Sequence, residues 1–153
     1  EEMKVTKSYI KRIIKEELTK VLREQEGGMA ISKEKMDFYN SDQFQAKNLD
    51  DAQIQQAVND SVSIANSKKE GSGYKLADSI KHYAVSYTLD RDAKNLQMLG
   101  QTADSYGVPA RIPYQAAMAI ALKFDEANKG VNRTNVSDEE NLSQIEQHVK
   151  RFI

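Results

Sequence analysis

Apolar residues recur at helical spacing along most of this chain, and one window is apolar almost without interruption. It runs from Ile112 to Gly130, IPYQAAMAIALKFDEANKG. Pro113 suits a first helical turn, where its missing N–H would have no partner anyway. Gly130 stands where a left-handed C-terminal cap is wanted, with Lys129 in the last turn. Between them Ala116, Ala117, Met118, Ala119, Ile120, Ala121, Leu122 and Phe124 leave little polar face before Lys123. A helix apolar nearly all round is a buried one, and its alanines let neighbours approach closely. The pattern therefore predicts a buried central helix over about 113–129.

The first helix is predicted from Val5 to Glu26. Tyr9, Ile10, Ile13, Ile14, Leu18, Val21 and Leu22 form one apolar stripe. Its first half is basic, with Lys11 and Arg12 among five cations, and acids follow at Glu16, Glu17, Glu24 and Glu26. That order opposes the helix dipole, so the stability of this helix has to come from packing or from a partner. These nine residues, Tyr9 to Leu22 of the stripe with Lys11 and Arg12, are the candidate interaction surface. Docking on its own bundle or on a copy of itself is the first reading of this helix, and lying on a membrane or on an acidic partner is the competing one.

The stretch KVTKSYIKRIIKEELTKVL (residues 4–22) resembles the opening helix of small, uncharacterised proteins of marine tailed bacteriophages and some marine bacteria. Their shared pattern is a Lys-x-Thr-Lys start, a basic turn, and then Ile-Ile-Lys-Glu-Glu. The resemblance covers about the first two dozen residues and carries no catalytic residue. It implies an origin rather than an activity.

Gly27-Gly28 reads as a helix end and hinge. Gln25 stands where a double-glycine export leader would need an apolar residue. A phage maturation protease cutting near Glu24 or Glu26 is a second use of this stretch. Residues 29–48 are predicted as an irregular arm, with Ser32 capping a short helix that carries Met36, Phe38 and Tyr39. Asn40-Ser41-Asp42 is turn chemistry, and Phe44 is the anchor.

Clearer signals follow. Asp50 and Gln53 form a capping-box pair, with Leu49 and Ile54 at hydrophobic-staple positions. Ile54, Ala57, Val58, Val62, Ile64 and Ala65 continue the stripe to about Ser67, and Gly71-Ser72-Gly73 stops it. From Tyr74 to Tyr106 the helical pattern persists, broken near Thr88-Leu89-Asp90 with Asp90 capping the second part. Tyr106-Gly107-Val108-Pro109 ends it. Residues 131–136 are a polar loop, Ser137 and Glu140 make another capping box, and Leu142, Ile145, Val149 and Ile153 define the last helix.

Composition narrows the chemistry. With 22 basic and 23 acidic residues the net charge is -1, so there is no global electrostatic case for nucleic acid. The absence of Cys excludes disulfides, zinc–thiolate sites and thiol catalysis. No apolar run reaches the ~20 residues of a membrane span, and the amphipathic start is not a signal peptide. The expected location is the bacterial cytoplasm or a virion.

Individual motifs read as structural. Gly71-Ser72-Gly73-Tyr74-Lys75 lacks the Gly-Lys-Ser/Thr order and the preceding strand of a phosphate loop, so it is a connector. Asp125–Gly130 fails as a calcium loop, because Ala127 and Lys129 occupy ligand positions and Val136 stands in place of the final Glu. Asp90 and Asp92 are better placed to cap a helix than to hold a metal. His82 and His148, the two histidines, lie on separate predicted helices, His82 with Asp78 one turn earlier. Tyr83 and Tyr87 are one turn apart, more suited to core-edge packing than to stacking bases. The Asn-x-Ser/Thr triplets at Asn59, Asn132, Asn135 and Asn141 carry meaning only in a eukaryotic secretory setting.

The expectation is an all-α bundle of five or six helices. Residues 1–26 form a detachable amphipathic helix, 27–48 a hinge and arm, and 49–153 the bundle domain. The functional expectation is a non-enzymatic structural or assembly protein of a tailed-phage virion, present in many copies. Its partners would be itself or other virion proteins, and no cofactor or metal is expected. The alternative is a small helical adaptor or inhibitor that binds a host protein.

Overall fold

The computed structural model describes residues 31–153. The stripe from Tyr9 to Leu22, Lys11, Arg12 and the Gly27-Gly28 hinge lie outside the described residues. Among these there are six α-helices, one 3₁₀ turn and no strand.

α1 (Lys33–Tyr39) starts as expected at Ser32, whose hydroxyl accepts from Lys35 N–H at 3.2 Å. The chain then turns through Asn40-Ser41 to Phe44, which is fully buried, and to the 3₁₀ turn Ala46–Asn48. Ile31, Tyr39, Phe44 and Ala46 join the same core as the later helices. Arm-like in sequence, the segment is docked in the structure.

α2 (Asp51–Lys68) begins with both halves of the capping box. Gln53 N–H donates to Asp50 Oδ1 at 2.8 Å, and Asp50 N–H donates to Gln53 Oε1 at 2.9 Å. Leu49 and Ile54 are buried beside it, as a staple requires. Its core face carries Ile54, Ala57, Val58, Ile64 and Ala65, and also Asp60 and Ser61, while Val62 is only half-buried.

α3 (Ser72–Asp90) follows a turn at Gly71 in the left-handed region, φ 85°. The expected break at residues 88–90 falls later. α3 runs through Asp90, Arg91 takes φ 49°, and Asp92 rather than Asp90 caps α4 (Ala93–Ser105) by accepting from Lys94 N–H at 2.9 Å. Thr88 is buried and continues the helical face, so nothing stops α3 at that point. α4 ends where Tyr106-Gly107 predicts. Val108 N–H reaches Ala103 O at 3.0 Å and Gly107 N–H reaches Asp104 O at 2.9 Å, with Gly107 at φ 76°. This is the paired closure of a Schellman motif, with Val108 and Ala103 both buried behind it.

α5 (Arg111–Ala127) is the predicted central helix, and it packs on α2, α3, α4, α6 and the 3₁₀ turn. Ala116, Ala117, Ala119, Ile120 and Ala121 are buried. Two details differ from the sequence reading. The helix ends at Ala127 with Asn128 as C-cap, so Lys129 lies past its last turn, although Gly130 does adopt φ 77°. Leu122 is 41% exposed, so α5 keeps an outward strip. α3 shares the central position, touching α2, α4, α5 and α6.

α6 (Asp138–Lys150) is capped by Ser137 Oγ, which accepts from Glu140 N–H at 3.1 Å; this is the first half of the expected box. Ile145, His148, Val149 and, beyond the helix, Phe152 face the core, while Leu142 is 37% exposed and outside the buried stripe.

Candidate functional site

Four guanidinium groups fasten the bundle. Arg91 pairs with both oxygens of Asp125, at 2.7 and 2.6 Å, and also donates to the Tyr87 carbonyl at 3.1 Å and lies over the Tyr87 ring. Asp125 is thus engaged as a clamp between α3 and α5. Arg111 donates to the Ser41 and Phe44 carbonyls at 2.7 and 3.1 Å, and Gln115 Oε1 accepts from Ala46 N–H at 2.6 Å. Together they tie the 41–46 loop to α5. Arg133 gathers Asn128 and Gln144 at 2.8 Å each, with Asn141, over the face of Phe124. Arg151 meets Asp51 at 2.6 Å, and Asp51 also faces Lys123 at 3.5 Å.

The most enclosed charged group is Asp60, 3% exposed. Tyr39 donates its phenol to one oxygen, Gln56 Nε2 donates to the other at 2.8 Å, and Lys35 Nζ stands 3.6 Å away. A buried carboxylate needs such donors, because isolated it would be strongly disfavoured. Burial first, then the hydrogen bond to Asp60 and its negative charge, push the Tyr39 phenol far above its ordinary range. The cluster joins α1 to α2. It opens on a groove of about 420 Å³ lined by Ser32, Glu34, Lys35, Phe38, Tyr39, Gln53 and Gln56.

His148 is 8% exposed, and its Nε2 lies 2.8 Å from Ile120 O. A carbonyl only accepts, so Nε2 carries the proton and donates. Phe124 and Phe152 meet the ring edge-to-face at 5.4 and 5.5 Å. Burial lowers its pKa; the bond to Ile120 O opposes this, Arg151 adds to the lowering, and Asp51 counters it. His148 is a neutral structural tether. His82 is exposed, with Tyr83 beside it at 4.9 Å. Tyr83 and Tyr87 are half-buried against the core. No group of three His, Cys, Asp or Glu side chains among the described residues could hold a metal ion. No described helix is long and apolar enough to cross a membrane.

A candidate surface for a partner is a trough beside α5. Two hollows of about 440 and 530 Å³ share Ala46, Lys47 and Leu122 and so run together. Ala119 lines one and Met118 the other, and Lys123 and Glu126 stand on the rim. Met118 and Leu122 are one turn apart on one face of α5. The trough was not legible in sequence, since the apolar run reads alike on every face. The burial of Asp60 and Ser61 follows the helical spacing set by Ala57 and Ile64.

Comparison with protein-family models, with curated proteins and with solved structures finds no match.

Proposed function

We propose that this chain is a structural or assembly protein that works through protein–protein contacts, in its specific form a multi-copy component of a tailed-phage virion. The observation that carries the general reading is the trough on α5. There Leu122, 41% exposed, and Met118 present apolar surface between Lys47, Lys123 and Glu126. Apolar surface rimmed by charge is what a partner helix covers. The sequence supplies a matching element, the stripe Tyr9, Ile10, Ile13, Ile14, Leu18, Val21 and Leu22 with Lys11 and Arg12 beside it. The resemblance of residues 4–22 to phage proteins supports the virion form.

The test is the native mass of the full chain by light scattering over a concentration series. A defined oligomer is expected, reduced to monomer by Leu122→Asp and also by Ile13→Asp, with helical circular dichroism kept. A wild-type monomer at high concentration removes the reading and favours an adaptor that binds one host protein.

A further inference from the structure

We propose that the groove between α1 and α2 is the docking site of the chain's own preceding segment, which folds back at Gly27-Gly28 and fills it with Leu18, Val21 and Leu22. Phe38 and Tyr39 line the α1 side, Gln53 and Gln56 the α2 side, and Ser32 stands where the chain enters. Phe38 packs against the core yet stays only half-buried. Aromatic surface of this kind, edged by amides and by Glu34 and Lys35, suits the apolar stripe of an amphipathic helix.

Chain continuity names the occupant. Ile31 is 2% exposed and belongs to the core, so the segment before it departs beside Ser32, on the wall of the groove. Six residues, 27–32, separate the predicted helix end at Glu26 from the start of α1 at Lys33. Connections of about two to eight residues join antiparallel neighbours in helical bundles. Gly27-Gly28 supplies the backbone freedom for the reversal. The tether also favours the same chain over a second copy, because a short linker holds its segment at an effective concentration on the order of millimolar.

Length sets the register. α1 has 7 residues, about 10 Å of helix axis. Running back from Glu26, the same distance ends near Thr19, so Leu18, Val21 and Leu22, which share one face, come opposite Phe38. Tyr9, Ile10, Ile13 and Ile14 fall past the end of α1 and stay available for the contact proposed above. Charge agrees with this direction. Glu24 and Glu26 come opposite Lys33 and Lys35 at the start of α1, whose side chains are 90% and 44% exposed. Acids that oppose the dipole of their own helix thereby gain cations from the next one.

The chain has no Cys, so Lys20→Cys, off the stripe, gives a single site for a spin label. In amide NMR of the labelled full-length protein, the Gln53 and Gln56 signals should lose intensity at every protein concentration, although both lie far from the label in sequence. Adding Leu18→Asp and Leu22→Asp should restore that intensity, with the helical circular dichroism of the bundle kept. In a mixture of labelled, unenriched chains with unlabelled, isotope-enriched ones, no loss is expected. Loss in that mixture assigns the groove to a second copy and overturns the proposal. So do full-intensity Gln53 and Gln56 signals in the labelled chain, or a loss that the paired Asp variant leaves in place. Leu122→Asp, which tests the trough on α5, should not alter the pattern, so the two proposals fail separately.

Discussion

Replacing Tyr39 by Phe removes one oxygen from the Asp60 cluster and little else. The ring that meets Phe44 edge-on at 4.8 Å stays, so no cavity opens. What changes is a carboxylate 3% exposed that keeps Gln56 Nε2 and Lys35 Nζ but loses its phenol donor. A hydrogen bond to a charged group contributes about 1.5–3 kcal/mol. The partner here stays buried and unfilled, so a loss of about 2 kcal/mol is expected, or a fall of about 4–8 °C in melting temperature for a domain of this size. Urea unfolding of the full chain, followed by circular dichroism, measures it. The slope with urea should stay unchanged while the midpoint falls. In an Asp60→Asn background, where the acceptor is neutral, the same substitution should cost less, so the pair is non-additive. An independent readout is the phenolate absorbance during alkaline titration. With its phenol held far above the ordinary range by burial and Asp60, Tyr39 is expected to stay protonated around pH 10, where ordinary tyrosines ionise. Tyr39→Phe should leave that amplitude intact. A stability loss below about 0.5 kcal/mol, or the same loss in both backgrounds, refutes the account of Asp60 as a carboxylate held by this donor.

His148 gives a pH prediction. Its folded pKa is lowered, chiefly by burial, so the unfolded chain takes up the proton first. Stability is full above the unfolded pKa of about 6.5 and declines as pH falls below it, until the folded state also protonates; His148→Gln should flatten urea midpoints between about pH 7 and 5.5. At Arg91, φ 49° strains any residue but glycine, while the clamp on Asp125 is half-exposed and so modest. Arg91→Gly should stay within about 1 kcal/mol of wild type, and Arg91→Ala should be about 1 kcal/mol less stable than the glycine variant, by chemical denaturation. Phe44→Ala should cost about 3–5 kcal/mol, and hydrogen exchange should show residues 36–49 opening ahead of α3 and α5.

The parts of the fold most legible in sequence were those written in local rules. The Asp50/Gln53 box, the Ser137 cap and the Gly107 closure each need only residues within one helical turn, and each stands where the sequence places it. Legibility failed where the deciding contact is distant. Asp90 and Asp92 are equally able caps; the break falls at Arg91, whose guanidinium is tied to Asp125, 34 positions away. Leu122 looks like its buried neighbours Ile120 and Ala121, yet it is 41% exposed and lines a hollow with Ala46 and Lys47, a difference set by tertiary packing. Of the groups on Asp60, Gln56 stands one turn away on α2, but Tyr39 and Lys35 come from α1, up to 25 residues upstream, which no spacing rule connects to α2.

The bond between Arg151 and Asp51 spans 100 positions, and the one from Gln55 to the Arg151 carbonyl spans 96. Elsewhere the main packing joins helices that are consecutive, α2 with α3 and α3 with α4, or only one or two helices apart, α3 with α5 and α2 with α5. Closing a long loop adds only a slowly growing entropic barrier, but its contacts form after the local pairs have collapsed. The Asp51–Arg151 latch therefore belongs to the native side of the rate-limiting step. Loosening it should leave the refolding arm of a chevron in place and steepen escape from the native state, so that it governs how long the bundle lasts rather than how fast it assembles.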